Sequence, residues 1–194
     1  MSRIDFEKHF EYLKKINNEL KRILYFCALL TEALKPKGIR PIVVGGQALE
    51  FYTLGNYSTL DVDLVSTGYR EIGEILEEWG FEKFGWHWNH DELRIAIEIP
   101  SEVLSGSYDR LLEVEIDNFS VYIIGVEDLI VDRLNSYVHW HIKDDKYWVR
   151  TMMALYFDKI DWAYLEKASK RELTYEAFIE IKRDAEKDLE QCDE

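Results

Sequence analysis

Residues 41–65 leave this chain few ways to fold. An apolar run, Ile42-Val43-Val44, meets Gly45-Gly46; an apolar-rich stretch, Gln47 to Leu54, follows; Gly55-Asn56 breaks it; and Leu60-Asp61-Val62-Asp63-Leu64-Val65 completes the block. The pattern predicts a strand over 39–44, a helix of about two turns over 47–54 and a second strand over 60–66. Alternate residues of a strand share a face, so Asp61 and Asp63 project side by side. Two like charges among apolar flanks are costly unless a cation joins them, and carboxylate oxygens suit a hard divalent ion.

The remaining chain gives this block a scaffold. Phe6, Phe10, Leu13, Leu20, Cys27, Leu30 and Leu34 recur at three-four spacing, predicting one amphipathic helix over 3–34, ended by Lys-Pro-Lys-Gly. Its stripe packs against the sheet or forms a dimer seam. Tyr69 to Trp79 reads as a helix closed by Gly80. Phe81 to Trp88 has apolar alternation, broken by Gly85, and Asn89-His90-Asp91-Glu92 reads as a polar turn. Leu93, Ile95, Ile97 and Ile99 alternate with Arg94, Ala96 and Glu98 in a strand that Pro100 should stop. Strands over 111–116 and 119–124 flank a two-residue turn, Asp117-Asn118. Helices are expected over 126–138, 144–157, 161–168 (capped by Asp161) and 172–191. The predicted architecture is α/β (α+β): a mixed sheet flanked by helices, with a core unit over 1–125 that includes the N-terminal helix and a helical region over 126–194.

Composition narrows the function. The chain is 47% hydrophobic and 14% aromatic, which implies a packed core. No apolar run approaches the roughly 18 residues of a membrane span, and Met-Ser-Arg-Ile-Asp-Phe-Glu has no signal-peptide layout, so a soluble, cytoplasmic protein is expected. Cys27 and Cys192 match no metal or redox spacing. The net charge of −14 disfavours nucleic acid as a partner. Two glutamines among abundant Glu, Lys and Arg hint at a thermophilic source.

Three features converge on phosphoryl chemistry. Gly45-Gly46 lets backbone N–H groups approach a phosphate at a helix N-terminus. Asp61 and Asp63 offer a metal pair. Glu98, on the strand face opposite the isoleucines, is the candidate third ligand or general base, with Glu113 and Glu115 as rivals. A separate reading gathers His87, His90 and Asp91 with His139 and His141 as an imidazole metal site. Trp86, Trp88, Trp140 and Trp148 supply flat surfaces for an acceptor, or core.

The order Val-Val-Gly-Gly-Gln-Ala, then Gly-Asn-Tyr-Ser-Thr-Leu-Asp-Val-Asp-Leu, then a later strand acid resembles the nucleotidyltransferase fold superfamily, in its small prokaryotic type that includes toxin-like members of toxin–antitoxin systems. The resemblance covers roughly residues 40–135. It implies transfer of a nucleoside monophosphate from an NTP to an acceptor hydroxyl, with Mg²⁺ (or Mn²⁺) on Asp61, Asp63 and Glu98. Gly45, Gly46, Gln47, Thr59 and Arg133 would contact the nucleotide, with Lys143 as an alternative phosphate contact. Gln47 stands where many members carry Ser, Tyr57 occupies a position that is often Arg, and the spacer is long. Those departures motivate the alternative, a non-catalytic nucleotide- or partner-binding module. A protein partner or a homodimer is compatible with both readings.

Overall fold

A computed structural model describes residues 5–192. The expected helix start at 3–4, the first four residues of the Met-Ser-Arg-Ile-Asp-Phe-Glu stretch and the side chain of Cys192 lie outside the described residues. The chain divides into two units, one running through Ile124 and the other from Gly125 on.

The first unit is built on a seven-stranded mixed sheet in the order β3-β4-β5-β2-β1-β7-β6. The strands are β1 (Ile42–Val44), β2 (Asp61–Val65), β3 (Glu82–Phe84), β4 (His87–His90), β5 (Ile95–Ser101), β6 (Leu112–Ile116) and β7 (Phe119–Ile123). Pairing is parallel between β1 and β7 and between β2 and β5, and antiparallel elsewhere. Direct cross-strand partners share a face. Val43, Val62, Leu64, Trp88, Ile97, Val121 and Ile123 form one such face, and all are buried. Helices α2 (Glu19–Leu34) and α4 (Tyr69–Glu78) cover it. Tyr25 of α2 meets Phe119, and Gly73 of α4 sits so close to the Trp88 indole that a Cβ there would lie 3.0 Å from Cζ2.

Several local signals act as read. Gly80 (φ +87°) closes α4: its N–H bonds Glu77 and that of Phe81 reaches Leu76, the paired bonds of a Schellman end. Asp117 and Asn118 adopt positive φ, as a tight hairpin turn requires.

Four expectations need correction. The N-terminal helical stretch is two helices, α1 (Phe6–Leu13) and α2, because the Asn18 side chain accepts from Lys21 N–H at 2.7 Å and starts α2 afresh. Asn89 and His90 are strand residues; the β3–β4 turn sits at Gly85-Trp86, and the following turn begins at Asp91. Pro100 does not end β5. The pairing shifts between Asp63 and Val65, and this bulge accommodates a residue without an N–H. Helix α3 (Gly45–Tyr52) begins at the glycines themselves.

The second unit is helical: α5 (Val126–His139), α6 (Asp144–Leu155), α7 (Trp162–Arg171) and α8 (Tyr175–Cys192). Asp161 caps α7 through Tyr164 N–H at 3.0 Å, as its sequence position predicted. Leu129, Ile130, Leu134, Val149, Met152, Met153, Leu165, Phe178 and Ile181 form its core. Among the described residues, no helix is long and apolar enough to cross a membrane.

Candidate active site

The sheet face away from α2 and α4 carries the candidate chemistry. Val44 pairs with Asp63, Asp63 with Glu98, and Glu98 with His87, so four strands present one row across this face. Asp61 stands one same-face step along β2, opposite Ala96. Register thus brings Asp61, Asp63 and Glu98 to a single surface, although 35 residues separate Asp63 from Glu98 in the chain.

The glycine turn is fitted to the acids. Gly45 has φ +60°, and a Cβ there would collide with the Asp63 carboxylate, with Cγ at 3.1 Å. A Cβ on Gly46 would lie 3.0 Å from Thr59 Oγ1. Both glycines therefore serve close approach: one against the second aspartate, the other against the threonine that precedes the pair. The N-terminus of α3 and the tip of β2 form one continuous surface, where backbone N–H groups and a favourable helix end lie beside carboxylates.

The premise of two buried acids is only partly met. Asp61 is exposed and Asp63 half-buried, and Leu60, expected within the strand, lies outside it and is 81% exposed. The apolar neighbours Val62 and Leu64 point to the opposite face. Glu98 is half-buried, and its Oε2 lies 3.6 Å from His87 Nδ1, an ion pair when the imidazole is protonated.

Two buried side chains support the loop from behind. Gln47 turns inward, fully buried, and donates through Nε2 to Glu50 Oε2 at 3.1 Å, leaving its own Oε1 without a partner. Burial pushes the Glu50 carboxyl above its usual range, and nearby Glu19 adds to this; the donors on Gln47 and the Thr59 backbone oppose it. Glu50 thereby ties α3 to Thr59. No motif in the sequence singles out Glu50. Its signal was a Gln–Glu pair three residues apart on a short helix, flanking buried Ala48 and Leu49.

The other expected residues are placed as follows. Arg133, on α5 of the second unit, binds Asp132 through Nε (3.0 Å) and Nη2 (2.5 Å), with Nη1 3.7 Å from Asp145. Lys143 precedes α6. Glu113 and Glu115 lie on edge strand β6 and are exposed. The imidazole site is not formed. His87 and His90 are three apart in β4 and face opposite ways, His90 packs on Phe10 and Phe81, and His139 Nε2 contacts the Glu172 carbonyl. Trp88 is core, whereas Trp86 and Trp140 are exposed.

Among the described residues, no group of three or more His, Cys, Asp or Glu is arranged to hold a metal. The donor chemistry still fits magnesium. That ion commonly takes one or two carboxylates and completes its shell with water and substrate phosphates, and Asp61 with Asp63 supplies such a pair beside the cradle at Gly45.

None of the curated proteins matches the sequence. Among solved structures, an antigenic nucleotidyltransferase-like protein from Paracoccidioides brasiliensis is similar in fold, with TM-score 0.56 and 16% identity over 80% of this chain and 87% of that one. ANT(2″)-Ia in complex with adenylyl-2″-tobramycin gives TM-score 0.48 and 16% identity, covering 75% and 93%. At the family level, residues 13–190 match "Nucleotidyltransferase of unknown function" (DUF6036), and the chain belongs to that family.

Proposed function

We propose that this protein transfers a nucleoside monophosphate from an NTP to an acceptor hydroxyl, at a site made by Gly45, Gly46, Asp61, Asp63 and Glu98. The observation that carries the reading is the fit of Gly45 to the Asp63 carboxylate, which joins an anion-cradling helix start to a metal-type acid pair. Backbone N–H groups at the start of α3 receive the triphosphate. Asp61 and Asp63 would hold Mg²⁺ (or Mn²⁺), which would supply neutralisation of phosphate charge. Glu98 takes the acceptor hydroxyl proton as the new O–P bond forms at the α-phosphorus and the bond to the departing pyrophosphate breaks. Thr59, held by Gly46 and Glu50, positions the strand that carries the acids.

The test is incorporation of label from each α-labelled NTP into a cell extract with Mg²⁺ present. Asp61→Asn and Asp63→Asn should each cut incorporation by at least about 10²-fold, as removal of transition-state charge stabilisation does elsewhere. Incorporation unchanged in both variants overturns the assignment.

One observation favours a second reading. Gln47, where many polymerase-type members carry Ser, is turned fully inward. A module that binds nucleotide or a partner without turnover, as a toxin–antitoxin component would, predicts that Mg-NTP raises the melting temperature while no acceptor becomes labelled.

A further inference from the structure

A cavity of about 490 Å³ in the first unit is lined by none of Gly45, Gly46, Asp61, Asp63 and Glu98. Its floor is the next same-face row of the sheet. Glu113 pairs with Tyr122, Tyr122 with Ile42, and Ile42 with Val65. Ile42 and Val65 stand two residues from Val44 and Asp63, about 7 Å along the strands. The walls include Arg40, Ser66, Glu102 and Tyr108. The volume and the apolar floor with a few convergent polar groups match a small-molecule pocket.

The charges in it are not spent on one another. The Arg40 guanidinium lies over the Tyr122 ring, 4.8 Å from its centroid. A guanidinium held over an aromatic ring keeps N–H donors for a carboxylate or phosphate. Among the described residues, neither Glu102 nor Glu113 closes an ion pair with Arg40 or with any other cation. Lys35 at the rim is already engaged by Glu32 at 3.4 Å. An apolar and aromatic floor thus lies between one uncommitted cation and two uncommitted carboxylates.

We propose that this cavity binds a small zwitterion, its anionic group on Arg40 and its ammonium group on Glu113 and Glu102, with the body of the molecule against Tyr122, Ile42 and Val65. The site stands on the cavity itself and does not require the transfer reading, so the two fail separately.

The experiment titrates ¹⁵N-labelled full-length protein with three zwitterions, L-serine, L-phenylalanine and O-phosphoethanolamine. Acetate, inorganic phosphate and ethylamine serve as half-ligands. At least one zwitterion is expected to give saturable amide shifts centred on residues 39–42, 65–67 and 102–122, at least tenfold tighter than any half-ligand. Arg40→Gln and Glu113→Gln, both at exposed positions, should each weaken that binding at least tenfold while their spectra stay native-like. No saturable binding, shifts centred elsewhere, a half-ligand that binds as tightly as the zwitterions, or binding untouched in both variants overturns the proposal. Asp61→Asn should leave the titration unchanged, which separates this result from any failure of transfer.

Discussion

Replacing Gly45 by Ala should be among the most damaging single-methyl changes available to this chain, for two separable reasons. At φ +60° an L-residue costs about 1–2 kcal/mol in backbone energy. The added Cβ also meets the Asp63 carboxylate, and overpacking of that kind costs about 1–3 kcal/mol. Together the loss is about 2–5 kcal/mol. With a urea m-value of about 2 kcal/mol/M, that moves the unfolding midpoint down by about 1–2.5 M. Gly55→Ala is the control: φ is +83°, but nothing lies within 4 Å of the built Cβ, so only the backbone part applies. The decisive measurement is a double-mutant cycle by urea denaturation. In an Asp63→Ala background, Gly45→Ala should cost only about 1–2 kcal/mol, leaving a coupling of about 1–3 kcal/mol between the two positions. If Gly45→Ala costs the same in both backgrounds, or no more than Gly55→Ala, the close fit of glycine to carboxylate is wrong, and with it the observation on which the proposed site rests.

Two further outcomes follow from buried titratable groups. Burial pushes the Cys27 thiol up to about 12, so at pH 8 only about one molecule in 10⁴ carries a thiolate; alkylation at the Cys27 peptide, read by mass spectrometry, should be negligible in the folded protein and rapid in urea, and ready reaction in the native state would refute the packing around α2. For Glu50, the folded state holds its proton more tightly than the unfolded chain does, so the wild type loses stability as pH rises through and above the ordinary carboxylate range near 4.5. Glu50→Gln lacks that loss, so the melting temperature of the variant relative to wild type should rise between pH 4 and pH 7, and a constant difference would show that Glu50 is not desolvated.

How much of this was readable before the structure depends on the range over which each signal acts. Gly80, Asp117-Asn118 and the Asp161 cap were legible because each is satisfied within a few residues: a positive φ, a tight turn, one side chain to one N–H. The alternation of Ile95, Ile97 and Ile99 was legible because a strand buried on one face must show it, and all three are buried; Leu93, also buried, lies in the turn before β5. Asn18 as a helix start was equally local but was masked by an apolar stripe that runs on in phase through the break. Asn89 and His90 misled because polar residues that read as a turn are tolerated in a strand when the ring of one, His90, can pack on Phe10 and Phe81.

The sequence by itself determined the order of parts: strand, glycine pair, helix, acid pair and isoleucine-backed strand, each written in spacing that a chain must obey locally. Only the tertiary structure decided their company. Pairing register, which depends on the whole sheet, set Glu98 beside Asp63 and His87 beside Glu98. Alternation along β4, once that segment proved to be a strand, split His87 from His90. The packing of α3 turned Gln47 inward onto Glu50, and the path of the chain into β1 laid Arg40 on Tyr122. Contacts between residues tens of positions apart leave no periodicity in the chain, because their geometry is set by what each strand and helix finds to bury itself against.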